Sequence, residues 1–170
     1  RSTLDSVSSL SFLKDNPTFC SSDISIGVAF NPFLPSFLFE EEIKRLEKKL
    51  KSGLVSSVWM QFGTDCELLK SRIKILKNSI DYAMKNNLNQ SNITIFGSIL
   101  IPSKQFLARF KYRPWKGVYC SNEFLDSLEF ANKIIKELLI NYKNNKIFPI
   151  IETPVYNDEN LKILKNHFLS

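Results

Sequence analysis

Gln61 is the residue whose type and place first ask for a chemical explanation. It interrupts the apolar run Val58-Trp59-Met60-Gln61-Phe62-Gly63 close to its end. A primary amide carries donors and an acceptor that cost free energy if dried and left unpaired, so this side chain either bonds to protein or faces a ligand. Its place at the mouth of a glycine-containing loop favours a ligand. Polar residues close other apolar runs too: Asn31 after Phe30, Ser98 to Ser103 around Ile99-Leu100-Ile101, and Glu152 with Thr153 after Ile151. Each has a plainer use. Asn31 suits a turn, Glu152 a solvated loop or the neighbourhood of a helix N-cap, and Gln61 a structural hydrogen bond.

Other chemistries are poorly supplied. The one histidine, His167, lies near the C-terminus, so no Ser/His/Asp or Cys/His constellation can be assembled with any assurance. Cys20, Cys66 and Cys120 are far apart and lack a Cys-x-x-Cys spacing, which speaks against a zinc site or a disulfide framework and for a reducing, cytoplasmic compartment. The net charge is +6, but the lysines are scattered among acids along helix faces, so no nucleic acid partner is expected. No apolar run reaches the roughly 18 residues of a membrane span, and no signal peptide opens the chain. The first residue is Arg1 and the first segment already resembles the front of a helix, as if the sequence began in the middle of something.

The elements that would position these residues follow from periodicity and punctuation. Ser6 to Leu13 reads as a short helix stopped by Asp15-Asn16-Pro17, and residues 1–23 as this leading helix and a linker. Ile24 to Phe30 reads as a buried strand, followed by the proline-rich loop Asn31-Pro32-Phe33-Leu34-Pro35. A helix is expected over Phe39 to Ser52, with Glu40, Glu41 and Glu42 in its first turn, Lys48, Lys49 and Lys51 in its last, and Gly53 as its stop. Strand Ser57–Phe62 precedes a long helix capped by Gly63-Thr64-Asp65, with Leu69, Ile73, Leu76 and Ile80 on one stripe. A third strand spans Ile93 to Leu100, a short helix Lys104 to Phe110, and a long amphipathic helix Asn122 to Tyr142. Ile147 to Ile151 is the fourth strand, in which Pro149 suggests a rim or bulge position, and Glu159 to Phe168 closes as a helix.

Continuously apolar strands alternating with helices describe parallel β-structure with covering helices, so residues 24–170 read as four βα units of one α/β domain covering 1–170. No Gly-x-Gly-x-x-Gly or Walker lysine follows any strand. A TIM (β/α)₈ barrel takes about 250 residues, and this chain would supply half of one. An open half would leave two parallel edges unpaired, so a missing barrel half or a homo-oligomer is expected to cover them. In such a fold functional groups gather at the C-terminal strand ends, where Asn31, Gln61, Ser103 and Glu152 would share one face. Trp59 and Trp115 read most simply as core or interface residues. Arg113-Pro114-Trp115-Lys116-Gly117 reads as a turn, or as a lid over a flat aromatic ligand with Arg113 available for a carboxylate.

Four stretches in this order resemble the second half of methylenetetrahydrofolate reductase, a flavin-dependent (β/α)₈ barrel. They are Phe30-Asn31-Pro32-Phe33-Leu34-Pro35, Leu46-Glu47-Lys48-Lys49 before Gly53, Met60-Gln61-Phe62, and Gly97-Ser98-Ile99-Leu100-Ile101-Pro102. The resemblance implies that Gln61 hydrogen-bonds a folate pterin, that Lys49 lies near the phosphates of FAD, and that Phe30, with Asn31, belongs to the flavin loop. Glu152, from its strand-end position, joins Gln61 as a substrate-binding candidate. It implies an oxidoreductase of one-carbon metabolism in which reduced flavin passes hydride to a methylene-folate, with this polypeptide alone inactive or nearly so. The chain departs from the pattern at Leu34, where the family often has a flavin-contacting histidine, and at Met60, where threonine is usual. Gln105 aligns only loosely with a second folate-contacting glutamine, and the family's catalytic acid belongs to the first four strands. These departures support an alternative: a non-catalytic folate- or pterin-binding module or accessory subunit that has lost the flavin.

Overall fold

The computed structural model describes residues 5–20, 22–86, 92–152 and 157–168, without the side chains of residues 159, 160, 167 and 168. Two short helices, α1 (Ser6–Lys14) and α2 (Pro17–Cys20), lead into strand β1 (Ile26–Phe30). Helix α3 (Ser36–Leu50), strand β2 (Val55–Met60), helix α4 (Cys66–Asn86) and strand β3 (Thr94–Ile99) follow. Helices α5 (Lys104–Tyr112), α6 (Asn122–Asp126) and α7 (Leu128–Asn144) then precede strand β4 (Phe148–Ile151) and helix α8 (Asp158–Phe168). The strands form a four-stranded sheet in the order β1-β2-β3-β4, every neighbouring pair parallel. Parallel neighbours require a crossover, and each is made through helix.

Alternation along the strands separates two faces. Val28, Phe30, Val58, Met60, Ile95 and Ile99 are buried and belong to the main core, together with Leu46 and Leu50 of α3, Leu69, Ile73 and Leu76 of α4, and Ile135 and Leu138 of α7. The other face carries Ala29, Trp59, Phe96 and Phe148. These stand side by side in register, Ala29 with Trp59, Trp59 with Phe96 and Phe96 with Phe148. The rings of Trp59 and Phe96 lie 4.9 Å apart and those of Phe96 and Phe148 5.9 Å apart. Trp59 is nevertheless 46% exposed and Phe148 59% exposed.

The structure moves several predicted boundaries. Helix α3 begins at Ser36, so Glu40 to Glu42 leave its first turn, and the chain enters it directly from Pro35. Asp5 caps α1 by accepting from the backbone N–H groups of Val7 and Ser8. The long helix expected over Asn122 to Tyr142 is broken at Ser127, whose extended backbone ends α6 while its hydroxyl accepts from the Phe130 N–H and caps α7. Strand β2 stops at Met60, which leaves Gln61 one residue beyond it. Pro149 sits within the ladder opposite Gly97. The expectation of a rim or bulge gives way because β4 ends the sheet. The Glu152 N–H points to β3, so alternation turns the nitrogen of Pro149 outward, where no donor is needed.

Candidate functional site

The expected strand-end residues do gather at one end of the sheet, but they are differently engaged. Asn31 follows β1 and has its polar groups occupied. Its Nδ2 donates to the Gly117 carbonyl at 2.8 Å, its Oδ1 accepts from the Phe33 N–H at 3.1 Å, and its own N–H donates to Glu42 Oε1 at 2.9 Å. The turn reading of Asn31 therefore accounts for its chemistry, and it also ties the segment after α5 to the end of β1.

That segment is a strap across the C-terminal ends of β1 and β2. Tyr119 bridges to Gly63, the Tyr119 carbonyl accepts from the Thr64 N–H at 3.1 Å, and Thr64 Oγ1 accepts from the Ser121 N–H at 2.7 Å. The Phe33 ring fills the space a side chain at Gly63 would need, so close backbone approach rather than ligand access explains this glycine. Trp115 packs edge-on against Phe106 and Phe110 of α5. Under the strap lies an open cavity of about 390 Å³, walled by Phe33, Phe110, Tyr119 and Leu125 with Thr64 and Ser121 among its polar residues. A second cleft of about 520 Å³ lies between α3 and α4, bordered by Glu47, Ser79 and Tyr82. Neither cavity is lined by Gln61 or Glu152.

Gln61 is half-buried. Its backbone N–H continues the sheet by donating to the Phe30 carbonyl at 2.9 Å, and its Oε1 accepts from the Phe62 N–H at 3.0 Å. The acceptor is thus held by the residue's own loop, while no hydrogen bond from the side-chain NH₂ is seen among the described residues. By alternation from Trp59 the side chain belongs to the open face.

Two strands away, Glu152 continues β4 on the same face. Its N–H donates to the Ile99 carbonyl at 3.0 Å, and its Oε1 accepts from Ser98 Oγ at 2.8 Å. Ser98 is buried within β3, and its carbonyl accepts from Tyr142 Oη at 3.3 Å. Tyr142 is held from α7 deep in the core, where burial pushes its phenol well above the usual range. One carboxylate oxygen of Glu152 is therefore fixed, and the group as a whole stays exposed to solvent.

The residues assigned to a flavin by resemblance are placed otherwise. The Phe30 ring is in the core, 1% exposed and set edge-on to Phe39. Lys49 is buried under α3, its Nζ 3.4 Å from the Ala29 carbonyl, and desolvation lowers its pKa against the opposing pull of Glu42. Ser103 caps α5 through the Phe106 N–H, Gln105 is exposed on that helix, and Arg113 is exposed on the strap. Thr153 lies outside the described residues. No group of His, Cys, Asp and Glu among the described residues could hold a metal ion. Sequence reasoning missed the Ser98–Glu152 pair, although a serine inside an apolar strand is the same signal that singled out Gln61.

No family model matches the chain, and no curated protein matches it. A solved structure does resemble it. This is an uncharacterized protein from Clostridium thermocellum that binds two copies of 5-methyl-5,6,7,8-tetrahydrofolic acid. The match has a TM-score of 0.59 at 16% identity, covering 96% of this chain and 57% of that one. At this identity the likeness establishes the fold: four parallel strands alternating with helices, spanning a little over half of a longer chain. No described helix is long and apolar enough to cross a membrane.

Proposed function

We propose that this chain is a folate- or pterin-binding module that reads its ligand at the C-terminal end of β2 to β4. The observation that carries this reading is the NH₂ of Gln61, without a hydrogen bond among the described residues, on the same face as the anchored carboxylate of Glu152. One side chain offers donors and the other acceptors, which is what the alternating edge of a pterin requires. The fold it shares with a protein that binds 5-methyltetrahydrofolic acid supports the same ligand class. The open face, with Trp59, Phe96 and Phe148 in a row, supports reading the sheet as half of a (β/α)₈ barrel whose other wall comes from further βα units or a second copy.

The reductase reading needs FAD, and the placement of the three residues assigned to it lends that reading no support. Phe30 is enclosed in core, Asn31 has its amide engaged, and Lys49 is buried against a backbone carbonyl. Binding without hydride transfer is therefore the better-supported function. Titration calorimetry of the purified chain with 5-methyltetrahydrofolate, beside an absorbance spectrum, tests it. Folate binding by a colourless protein is expected; a yellow protein would restore the reductase reading, and no heat with any reduced folate would remove both.

A further inference from the structure

The hydrogen bond from Ser98 to Glu152 has no role in closing the sheet. The two strands are already joined by backbone pairing from Phe96 with Phe148 through Ile99 with Ile151. The bond instead spans side chains on the open face, from a buried hydroxyl to an exposed carboxylate, at 2.8 Å. Tyr142, itself almost wholly buried, donates to the carbonyl of the same serine from the covered side. The carboxylate is thus fixed at one oxygen by a residue set in rigid strand, while its other oxygen is left to accept.

We propose that Ser98 is a positioning residue that orients Glu152 to take the 2-amino and N3–H donors of a reduced pterin, with Gln61 meeting the ring farther along. This rests on the folate reading above and specifies which edge of the ligand each side reads. Each carboxylate oxygen has two lone pairs, so the oxygen held by Ser98 keeps one and, with the other oxygen, can meet two adjacent N–H donors, the charge strengthening each bond. Gln61 and Ser98 each stand one residue beyond the Met60–Gly97 pair, so they are lateral neighbours. Glu152 lies on the next strand, and two interstrand steps separate the axes of β2 and β4 by about 10 Å. Side chains from both ends can therefore reach one fused bicyclic ring without sharing an atom of it. A serine suits the anchoring position because its hydroxyl donates to the carboxylate without adding a charge that would compete with the ligand for it.

Calorimetry on the full chain separates this proposal from the one beneath it. The ligands are 5-methyltetrahydrofolate and its 2-desamino analogue, and the proteins are wild type, Ser98→Ala, Ser98→Thr, Glu152→Gln and Gln61→Leu. Ser98→Ala should weaken the parent folate about ten-fold, Glu152→Gln should weaken it at least as much, and Ser98→Thr, which keeps the hydroxyl, should bind as wild type. The analogue should lose only about three-fold between wild type and Ser98→Ala, because it keeps N3–H alone of the two donors that the carboxylate meets. A serine that merely stabilised the strand would shift both ligands together, and that result overturns the assignment. If Gln61→Leu weakens binding while Ser98→Ala and Glu152→Gln do not, the folate reading survives and this inference fails. If wild type binds neither ligand, both fail. Glu152 is exposed, so Glu152→Gln carries the test even if Ser98→Ala does not fold.

Discussion

The two faces of one four-stranded sheet have been built to different specifications. On the covered face Val58, Leu69, Leu76, Ile135 and Leu138 are completely sealed, each at 0% exposure. On the open face an equally apolar row of Trp59, Phe96 and Phe148 is left half in solvent, and beyond it stand the polar ends Gln61, Ser98 and Glu152. The contrast assigns stability to the covered face, and it is the open face to which the proposed function gives recognition. Large exposed aromatic side chains in contiguous register cost solvation free energy unless something covers them, whereas a sealed face has already been repaid by burial.

Leu76→Ala should mark the covered face with the largest effect, a loss of about 3 kcal/mol in denaturant unfolding, since it leaves a cavity among fully buried neighbours. Gly97→Ala should cost about 1–3 kcal/mol in the same assay, because the new methyl would meet the Tyr142 ring directly and the strand backbone cannot retreat far. Asn31→Ala should cost about 1 kcal/mol and raise hydrogen exchange across the strap, since it removes the bond to Gly117. Phe148→Ser on the open face should cost less than about 1 kcal/mol, only its ring contact with Phe96 being lost. If Phe148→Ser were as damaging as Leu76→Ala, the distinction between the two faces would collapse.

Cysteine chemistry sharpens the same contrast. Burial pushes the thiols of Cys66 and Cys120 up to about 12, while Cys20 is exposed. Iodoacetamide at mildly alkaline pH should therefore label Cys20 first and the other two only on unfolding. Because the folded thiols hold their protons above the ordinary value of 9.0, their contribution to stability is present below pH 9 and is lost as the pH rises toward 12. Alkaline unfolding of Cys66→Ala should accordingly be shallower.

The fold was legible because it depends on pattern. Apolar runs, helical stripes and the punctuation at Pro17, Pro32 and Gly53 give the order of elements, and parallel pairing follows from strands separated by helices. What periodicity could not convey was the break at Ser127, since a serine inside an amphipathic stripe looks the same whether it lies within a helix or caps a new one. The strap was also hidden, because the bonds that dock it join residues as distant as Asn31 and Gly117. At the site, polarity in an apolar strand singled out Gln61, whose Oε1 the structure bonds to the Phe62 N–H. It could not tell that Asn31 would be engaged by its own loop, nor that Phe30 and Lys49 would turn toward core and backbone. Those distinctions depend on which way a side chain faces and what lies opposite it.

The most direct test of a recognising face is the affinity of the chain for 5-methyltetrahydrofolate before and after Gln61→Leu, a change that removes the amide at similar volume. Wild type should bind, and the variant should bind about ten-fold more weakly while staying folded, its stability lowered by about 1 kcal/mol because the Phe62 N–H loses its acceptor. Equal affinity in the two proteins would contradict a recognising role, leaving Gln61 a structural residue whose amide serves only its own loop.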